Sequence, residues 1–220
     1  MNQRMSGPTQ HLTPPKLRPT QWWARRIRVP LGFLTAALYL FECSRRPLHP
    51  AAVAWSLALV LPGLALRAAA SGTVKKNLEL TVTGPYALTR NPLYLGSALI
   101  AAGFALALFS WPVALLIAAG FAAVYIPVIA SEERFLRATF PGFDDYCRRV
   151  PRFIPRLPPA NLTPPNPSGS APVTSHAPGG FSLRLYRQHR EYNAALGAAL
   201  LYLGLLYLRP MLDLVLHRTR

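Results

Sequence analysis

Two short polar stretches carry the residues that could do chemistry in this chain. The first is Arg90-Asn91-Pro92, and the second is the adjacent pair Glu132-Glu133. Each lies at one end of a long apolar stretch, residues 93–130. The chain has only eight acidic residues, and carboxylates so close to hydrocarbon are costly and usually functional. We therefore take the glutamate pair as the strongest candidate for a binding or catalytic site.

Both stretches also have a purely structural interpretation. Asn is a favoured helix N-cap and Pro suits the first helical position, so Asn91 and Pro92 can simply begin a helix. Arg90 would then lie at a helix N-terminus, where it can bind a carboxylate or a lipid phosphate. The glutamate pair can equally be a helix end with Arg134 and Arg137 as ion-pair partners. The sequence leaves these interpretations open.

An apolar helical hairpin is expected to bring the two stretches together. Residues 93–130 are about twice as long as one helix that crosses a bilayer. Ser110-Trp111-Pro112 lies near the middle, so we predict helices over residues 93–109 and 112–130. Both polar ends of such a hairpin lie at the same membrane face, which would place Arg90 near Glu132 and Glu133.

Further apolar runs predict additional membrane helices. Residues 48–70 have the length of a span, residues 29–41 are short, and residues 194–208 are about one span long. In the last run, Gly197 and Gly204 lie on one helix face and predict close helix packing. The alternation in residues 78–82 is compatible with a short strand. The fold class that we predict is an all-α integral membrane protein, a bundle of about four to five transmembrane helices with a pocket on its cytoplasmic face.

Composition divides the chain into four parts. Residues 1–28 are predicted to form a disordered basic tail with an interfacial segment, marked by Trp22-Trp23 and nearby arginines. Residues 29–157 form the membrane core. Residues 158–180, rich in Pro, Ser, Gly and Asn, are predicted to be a disordered linker. Residues 181–220 are predicted to form a C-terminal helix that crosses the membrane or lies in its interface.

The charge balance indicates a membrane surface as partner. The formal net charge is +16, and 51% of the residues are hydrophobic. Alternation of basic segments with long apolar blocks favours anionic lipid, and no basic recognition helix or aromatic platform suggests nucleic acid. With the N-terminus inside, residues 1–28, 71–92 and 132–190 carry 18 of the 24 Lys and Arg, which predicts that this face is cytoplasmic. Cys43 and Cys147 form no CxxC motif, so we expect no metal site.

The two polar stretches belong to longer motifs that resemble a known family. Residues 84–96 read GPYALTRNPLYLG, and residues 132–155 read EERFLRATFPGFDDYCRRVPRFIP. With the apolar hairpin between them, they resemble the isoprenylcysteine carboxyl methyltransferase and phospholipid methyltransferase family. The matching positions are Gly84, Tyr86, Arg90, Pro92, Tyr94, Glu132, Glu133, Tyr146, Val150, Pro151 and Pro155. Asn91 stands where the best-known members have His, so it can donate a hydrogen bond but cannot titrate.

The resemblance implies an enzyme that transfers a methyl group from S-adenosylmethionine to a lipid-like acceptor, as a carboxyl O- or lipid N-methyltransferase. It implies a cofactor site on the cytoplasmic side. It assigns catalytic roles to Arg90, Glu133 and Arg152, and substrate binding to Tyr146 and Arg148. Cofactor binding is assigned to Gly84, Tyr86, Asn91, Pro92, Tyr94, Gly96, Glu132 and Glu133.

Two other functions remain open at this point. Sterol reductases that use NADPH resemble the same C-terminal motif, although this chain looks short for a nicotinamide pocket. A membrane scaffold without catalytic activity is the second alternative, and Asn91 is the feature that suggests it.

Overall fold

The computed structural model describes residues 19–46, 49–74, 79–160 and 180–218. Residues 1–18 and 161–179, which hold most of the predicted disordered tail and linker, lie outside the described residues. Within the described ranges the fold is all-helical and contains no strand. Residues 79–82 are irregular, so the prediction of a strand there is wrong. Leu80 and Val82 instead bury their side chains against Phe143, Tyr146 and Val150.

Seven α-helices and one short 3₁₀ helix follow each other along the described chain. They are α1 (Pro19–Arg45), α2 (Pro50–Thr73), the 3₁₀ helix (Gly84–Ala87), α3 (Pro92–Leu108), α4 (Trp111–Thr139), α5 (Phe143–Arg149), α6 (Leu183–Gln188) and α7 (Tyr192–Arg218). Helix α1 is much longer than its apolar run and includes residues 19–28, which the sequence assigned to the tail. The predicted C-terminal helix at residues 181–220 is divided into α6 and α7, and α7 continues through Pro210.

The predicted hairpin is confirmed as helices α3 and α4. Phe109 has a φ of 50°, a left-handed conformation that ends α3, and α4 begins two residues later at Trp111. Helix α4 extends nine residues beyond the predicted end at residue 130, to Thr139. The polar end of α4 is therefore helical, which fixes the directions in which Glu132 and Glu133 point.

Small residues let α3 lie very close to α2. A Cβ added to Gly96 would lie 2.7 Å from the carbonyl oxygen of Gly63, and one added to Gly103 would lie 2.6 Å from Val60. Neither position tolerates a side chain without a shift of the partner helix. On α7, a Cβ added to Gly204 would lie 3.1 Å from the Leu40 side chain, as the close-packing prediction requires. A Cβ added to Gly197 would meet nothing within 4 Å. The close-packing prediction therefore holds for one of these two glycines.

The exposure of the apolar helices indicates a membrane protein. Helices α2 and α4 are long and apolar enough to cross a bilayer, yet only 22% and 17% of their most apolar windows are buried. The core helix of a soluble protein would be mostly buried, so these side chains need another apolar environment. Residues 92–108 and 192–208 are apolar but shorter. The total of four to five spans, and whether α1 and α7 cross completely, remain predictions.

Candidate functional site

The loop that carries Arg90 is held by the segment that follows α5. The backbone N–H of Arg90 donates to the carbonyl of Pro151 at 2.9 Å, and that of Arg156 donates to Leu88 at 2.9 Å. A third bond joins Ala160 to Ala87 at 3.0 Å. Residues 87–90 and 151–160 thus lie side by side, and together they position the arginines that each of them carries.

Asn91 is at the N-cap position of α3, but its side chain does not cap the helix. Its Nδ2 donates to the carbonyl oxygen of Arg152 at 3.1 Å, and Thr89 Oγ1 donates to the same oxygen at 3.0 Å. The helix start at Pro92 confirms the structural interpretation of Asn91-Pro92, while the predicted capping bond is absent. Asn91 is buried and fixes the backbone of residue 152, which a non-titrating amide can do.

Glu133 lies at the centre of a cluster with Arg90 and Arg152. Arg152 contacts both carboxylate oxygens, with Nε to Oε1 at 3.0 Å and Nη2 to Oε2 at 2.5 Å. Arg90 Nη1 lies 3.4 Å from Oε1. Glu133 is only 7% exposed, whereas the Arg152 side chain is 55% exposed. The structure therefore unites the three residues to which the resemblance assigned catalytic roles.

The structural alternative for the glutamate pair does not explain Glu133. Arg134 donates its Nε to the carbonyl of Ala130 at 3.1 Å, and Arg137 pairs with Asp144 at 2.8 Å. The partners of Glu133 come instead from two other segments of the chain. A helix end stabilised by its own next turn would not require them.

The cluster has an excess of positive charge and an unused donor. Two guanidinium groups face one carboxylate, and the hydrogen bonds that Arg152 donates to Glu133 raise the pKa of Arg152 further above its usual range. Arg90 Nη1 also contacts the Cys147 thiol at 2.7 Å. The Nε of Arg90 is buried and has no hydrogen-bond partner among the described residues. Because a buried unsatisfied donor costs about 1–3 kcal/mol, this atom points to a ligand.

Glu132 faces a different environment from its neighbour. The hydroxyl of Tyr94 donates to Glu132 Oε1 at 2.8 Å, and the Tyr94 ring meets Tyr125 edge-on at 5.3 Å. Tyr125 in turn stacks on Phe121 at 4.3 Å. The outer carboxylate is thus connected to a row of aromatic rings along α4, while Glu133 faces the arginines.

Gly84, Tyr86 and Tyr146 stabilise the loop that precedes the charged cluster. Gly84 has a φ of 59°, a conformation that suits glycine, and begins the 3₁₀ helix beside Thr73. Tyr146 donates its hydroxyl to the carbonyl of Tyr86 at 2.8 Å. Burial raises the pKa of both tyrosines well above the usual value, so both hydroxyls stay protonated. These positions hold the loop in place.

Two of the predicted residues lie apart from the cluster. Gly96 contacts α2, where its hydrogen side chain is required by packing. Arg148 is 80% exposed and lies 3.4 Å from Asp145. Their predicted roles in cofactor and substrate binding therefore find no support in the contacts that the structure shows.

Sequence analysis missed a second charged group, centred on Arg67 of α2. Arg67 donates Nη2 and Nε to Glu191 Oε2 at 2.7 Å and 3.1 Å, and its Nη1 contacts Ser97. The available signal was an arginine inside the apolar run 48–70, where a charge is usually functional. Glu191 could not be recognised, because 124 residues separate it from Arg67.

A partly open cavity of about 520 Å³ lies between the helices and is lined mainly by apolar side chains. Helices α1, α2, α3, α4 and α7 all contribute to its wall. Arg67 and Ser97 line it, and so does Tyr125, which contacts the Tyr94 ring. The cavity is therefore joined to the Glu132 side of the charged cluster through two aromatic rings.

Comparison with known proteins finds relatives that match part of this chain. Two relatives are each 43% identical over 83 residues, which is 38% of this chain. They are the nickel-cobalt-cadmium resistance protein NccN of Alcaligenes xylosoxydans xylosoxydans and the cobalt-zinc-cadmium resistance protein CzcN of Cupriavidus metallidurans. The match spans 39% and 38% of their respective lengths. No solved structure matches this chain significantly.

The matched family agrees with the motif that surrounds the charged cluster. The sequence profile of the phospholipid methyltransferase family matches residues 63–142, which include all of α3 and α4, Arg90 and Glu133. Arg152 lies ten residues beyond the end of the match but is bound to Glu133. Residues 63–142 of this chain are therefore similar to the phospholipid methyltransferase family, in agreement with the motif resemblance.

Proposed function

We propose that this protein is a membrane methyltransferase that uses S-adenosylmethionine to methylate a lipid-like acceptor. The observation that carries the proposal is the buried Glu133 held between Arg90 and Arg152. Arg90 and Glu133 both lie at motif positions of the family and within the matched segment. The family match supports methyl transfer in general terms. The cofactor and the acceptor class are our inference from the chemistry of the site.

The residues of the cluster suit this cofactor. S-adenosylmethionine carries a carboxylate and an ammonium group on its methionyl end, so its site needs both signs of charge. Two guanidinium groups contact the single carboxylate of Glu133, so one positive charge is left without a counterion in the cluster. Arg90 Nε also has no hydrogen-bond partner among the described residues. Glu132 offers a more accessible carboxylate on the adjacent face of α4. When bound, the cofactor supplies an electrophilic methyl group on a positively charged sulfur.

The protein's own contribution would be alignment and exclusion of water, because the donor is already reactive. Arg152 and Arg90 would hold an anionic group in a fixed orientation through paired hydrogen bonds. The hydroxyls of Tyr86 and Tyr146 stay neutral and so add no competing negative charge. The apolar cavity beside Tyr125 would bind the hydrocarbon part of a lipid-like acceptor. The group that receives the methyl would be a carboxylate or an amine on that molecule.

Binding of radiolabelled S-adenosylmethionine to the purified protein tests this proposal. Glu133→Gln keeps the shape of the side chain but removes the charge that orients both arginines. We expect affinity to fall at least about tenfold, the effect of losing a charged hydrogen-bond partner. Asp145→Asn is the matched control, because its carboxylate is exposed and pairs with Arg148. Equal affinity in wild type and Glu133→Gln would refute the assignment of the site.

The two relatives suggest a physiological setting for the reaction. Their names refer to resistance to nickel, cobalt, zinc and cadmium, so we propose that methylation by this protein contributes to metal tolerance. A strain that lacks the protein should be more sensitive to cadmium or cobalt, and the wild-type gene should restore growth. Restoration by the Glu133→Gln variant would show that tolerance does not depend on methyl transfer.

A further inference from the structure

The polar end of the bundle cavity is marked by one charged side chain. The cavity, about 520 Å³, falls in the usual range of ligand sites, roughly 300–1,000 Å³. Among the described residues that line it, Arg67 is the charged one, with Ser97 and Asn193 nearby. A mainly apolar space with a single cation among its described lining residues suits the hydrocarbon chain and the charge of an anionic amphiphile.

The contact between Arg67 and Glu191 leaves part of arginine's binding capacity unused. Both bonds from the guanidinium, at 2.7 Å and 3.1 Å, go to the same oxygen, Glu191 Oε2. A carboxylate or phosphate that approached in the plane could accept them on two oxygens, which is the stronger arrangement. An anionic ligand can therefore compete with Glu191 for Arg67.

The same ion pair lies between two cavities. A smaller space of about 230 Å³ is formed by α2, Tyr186 of α6 and the start of α7, and Glu191 lines it. Arg67 and Ala194 line both this space and the bundle cavity. The ion pair of Arg67 and Glu191 therefore lies at the boundary between the two spaces, at the end of the bundle where α3 begins.

Helices α1 and α7 form part of the cavity wall, and both lie outside residues 63–142, the segment that matches the family profile. Gly32 of α1 and Gly197 of α7 both line the cavity, and a Cβ added to either would meet nothing within 4 Å. Both glycines therefore border open space, so a bulky side chain at position 197 has room to enter the cavity.

We propose that the cavity binds the hydrocarbon chain of a single-chain amphiphile whose carboxylate or phosphate head takes over Arg67 from Glu191. This inference rests on the proposed function, because it names the class of the acceptor. Arg67 also donates to the carbonyl of Leu93 at 3.4 Å, in the first turn of α3. The head group would therefore lie near the start of α3. Asn91 and Arg90 directly precede this helix, and Arg90 belongs to the charged cluster.

Photolabelling of the full-length protein in zwitterionic nanodiscs tests the proposal. The probe is a palmitate analogue with a diazirine in its chain, and the comparison probe has the same chain with a hydroxyl head. We expect the carboxylate probe to label peptides of α1, α4 and α7 about tenfold more strongly than the hydroxyl probe. Unlabelled palmitate or hexadecyl phosphate should reduce labelling by the carboxylate probe, whereas hexadecanol should not. The stronger of the two competitors shows whether the site prefers a carboxylate or a phosphate head group.

Matched variants separate the cavity from the surrounding lipid. Gly197→Phe should fill the cavity and abolish most of the labelling, while Ala199→Phe, which adds the same bulk on an exposed face of α7, should not. Glu191→Gln should strengthen labelling by the carboxylate probe, because it frees Arg67. Arg67→Gln should remove the preference for the anionic head.

Two outcomes would overturn the proposal. One is equal labelling by the two probes, and the other is unchanged labelling in Gly197→Phe, which does not disturb the ion pair. Binding of S-adenosylmethionine is measured on the same samples. Cofactor binding without labelling of the cavity would refute this inference alone, whereas labelling without cofactor binding would refute the proposed function.

Discussion

At the scale of single residues, the central feature is that Glu133 receives two arginines from separate segments. Proximity of residues 90 and 133 followed from the hairpin, because both ends of a hairpin lie at one membrane face. Arg152 was included because of the family resemblance; no spacing rule predicts its bidentate contact with a glutamate nineteen residues away. The role of Arg67 was not predicted, since its partner Glu191 lies in a distant helix.

The bidentate contact of Arg152 leads to a specific prediction. Arg152→Lys keeps the positive charge but loses the planar pair of donors that contacts both oxygens of Glu133. We expect the affinity for S-adenosylmethionine to fall about tenfold. Arg148→Lys, at an exposed position in α5, should leave it unchanged. Equal affinities in the two variants, measured by equilibrium binding, would show that the geometry of Arg152 is unimportant.

At the scale of elements, α2 and α3 form the most closely packed pair of helices. The sequence predicted the helices themselves from apolar length, and Pro92 marked the start of α3 correctly. It did not predict which helices pack together, because Gly63 and Gly96 are separated by the loop that carries the site. The true ends of α1 and α4 were also missed, since polar residues there continue a helix that apolar periodicity no longer marks.

Packing between α2 and α3 can be tested with a matched pair of glycine substitutions. Gly96→Ala places a Cβ about 2.7 Å from a backbone oxygen of α2, which should destabilise the protein by about 1–3 kcal/mol. Gly32→Ala meets open space and should be neutral or stabilising by up to about 1 kcal/mol. Thermal unfolding in the same detergent measures both. A Gly96→Ala protein as stable as wild type would contradict the described packing.

At the scale of the whole molecule, the apolar helices and the positive charge indicate a membrane protein. Composition alone predicted this, because burial of apolar surface against lipid needs no knowledge of helix order. The cavity was beyond sequence analysis, since five helices that are distant along the chain contribute to it. The prediction that the charged cluster faces the cytoplasm rests on the distribution of Lys and Arg.

Orientation can be measured directly. In a background with both native cysteines replaced by serine, Asp145→Cys places an exposed thiol on α5, close to the charged cluster. We expect a membrane-impermeant maleimide to label it in inside-out vesicles and not in intact cells. Labelling in intact cells would place the cluster on the opposite face.

The central claim is methyl transfer to a lipid-like molecule. The most direct measurement is incubation of the protein, in membranes that contain native lipids, with S-adenosylmethionine carrying a labelled methyl group. The account predicts that label enters the lipid fraction with the wild-type protein, with a methyl-sized mass increase on an amphiphile, and that Glu133→Gln abolishes this. Absence of labelled lipid with a wild-type protein that binds the cofactor, or equal labelling by Glu133→Gln, would contradict it.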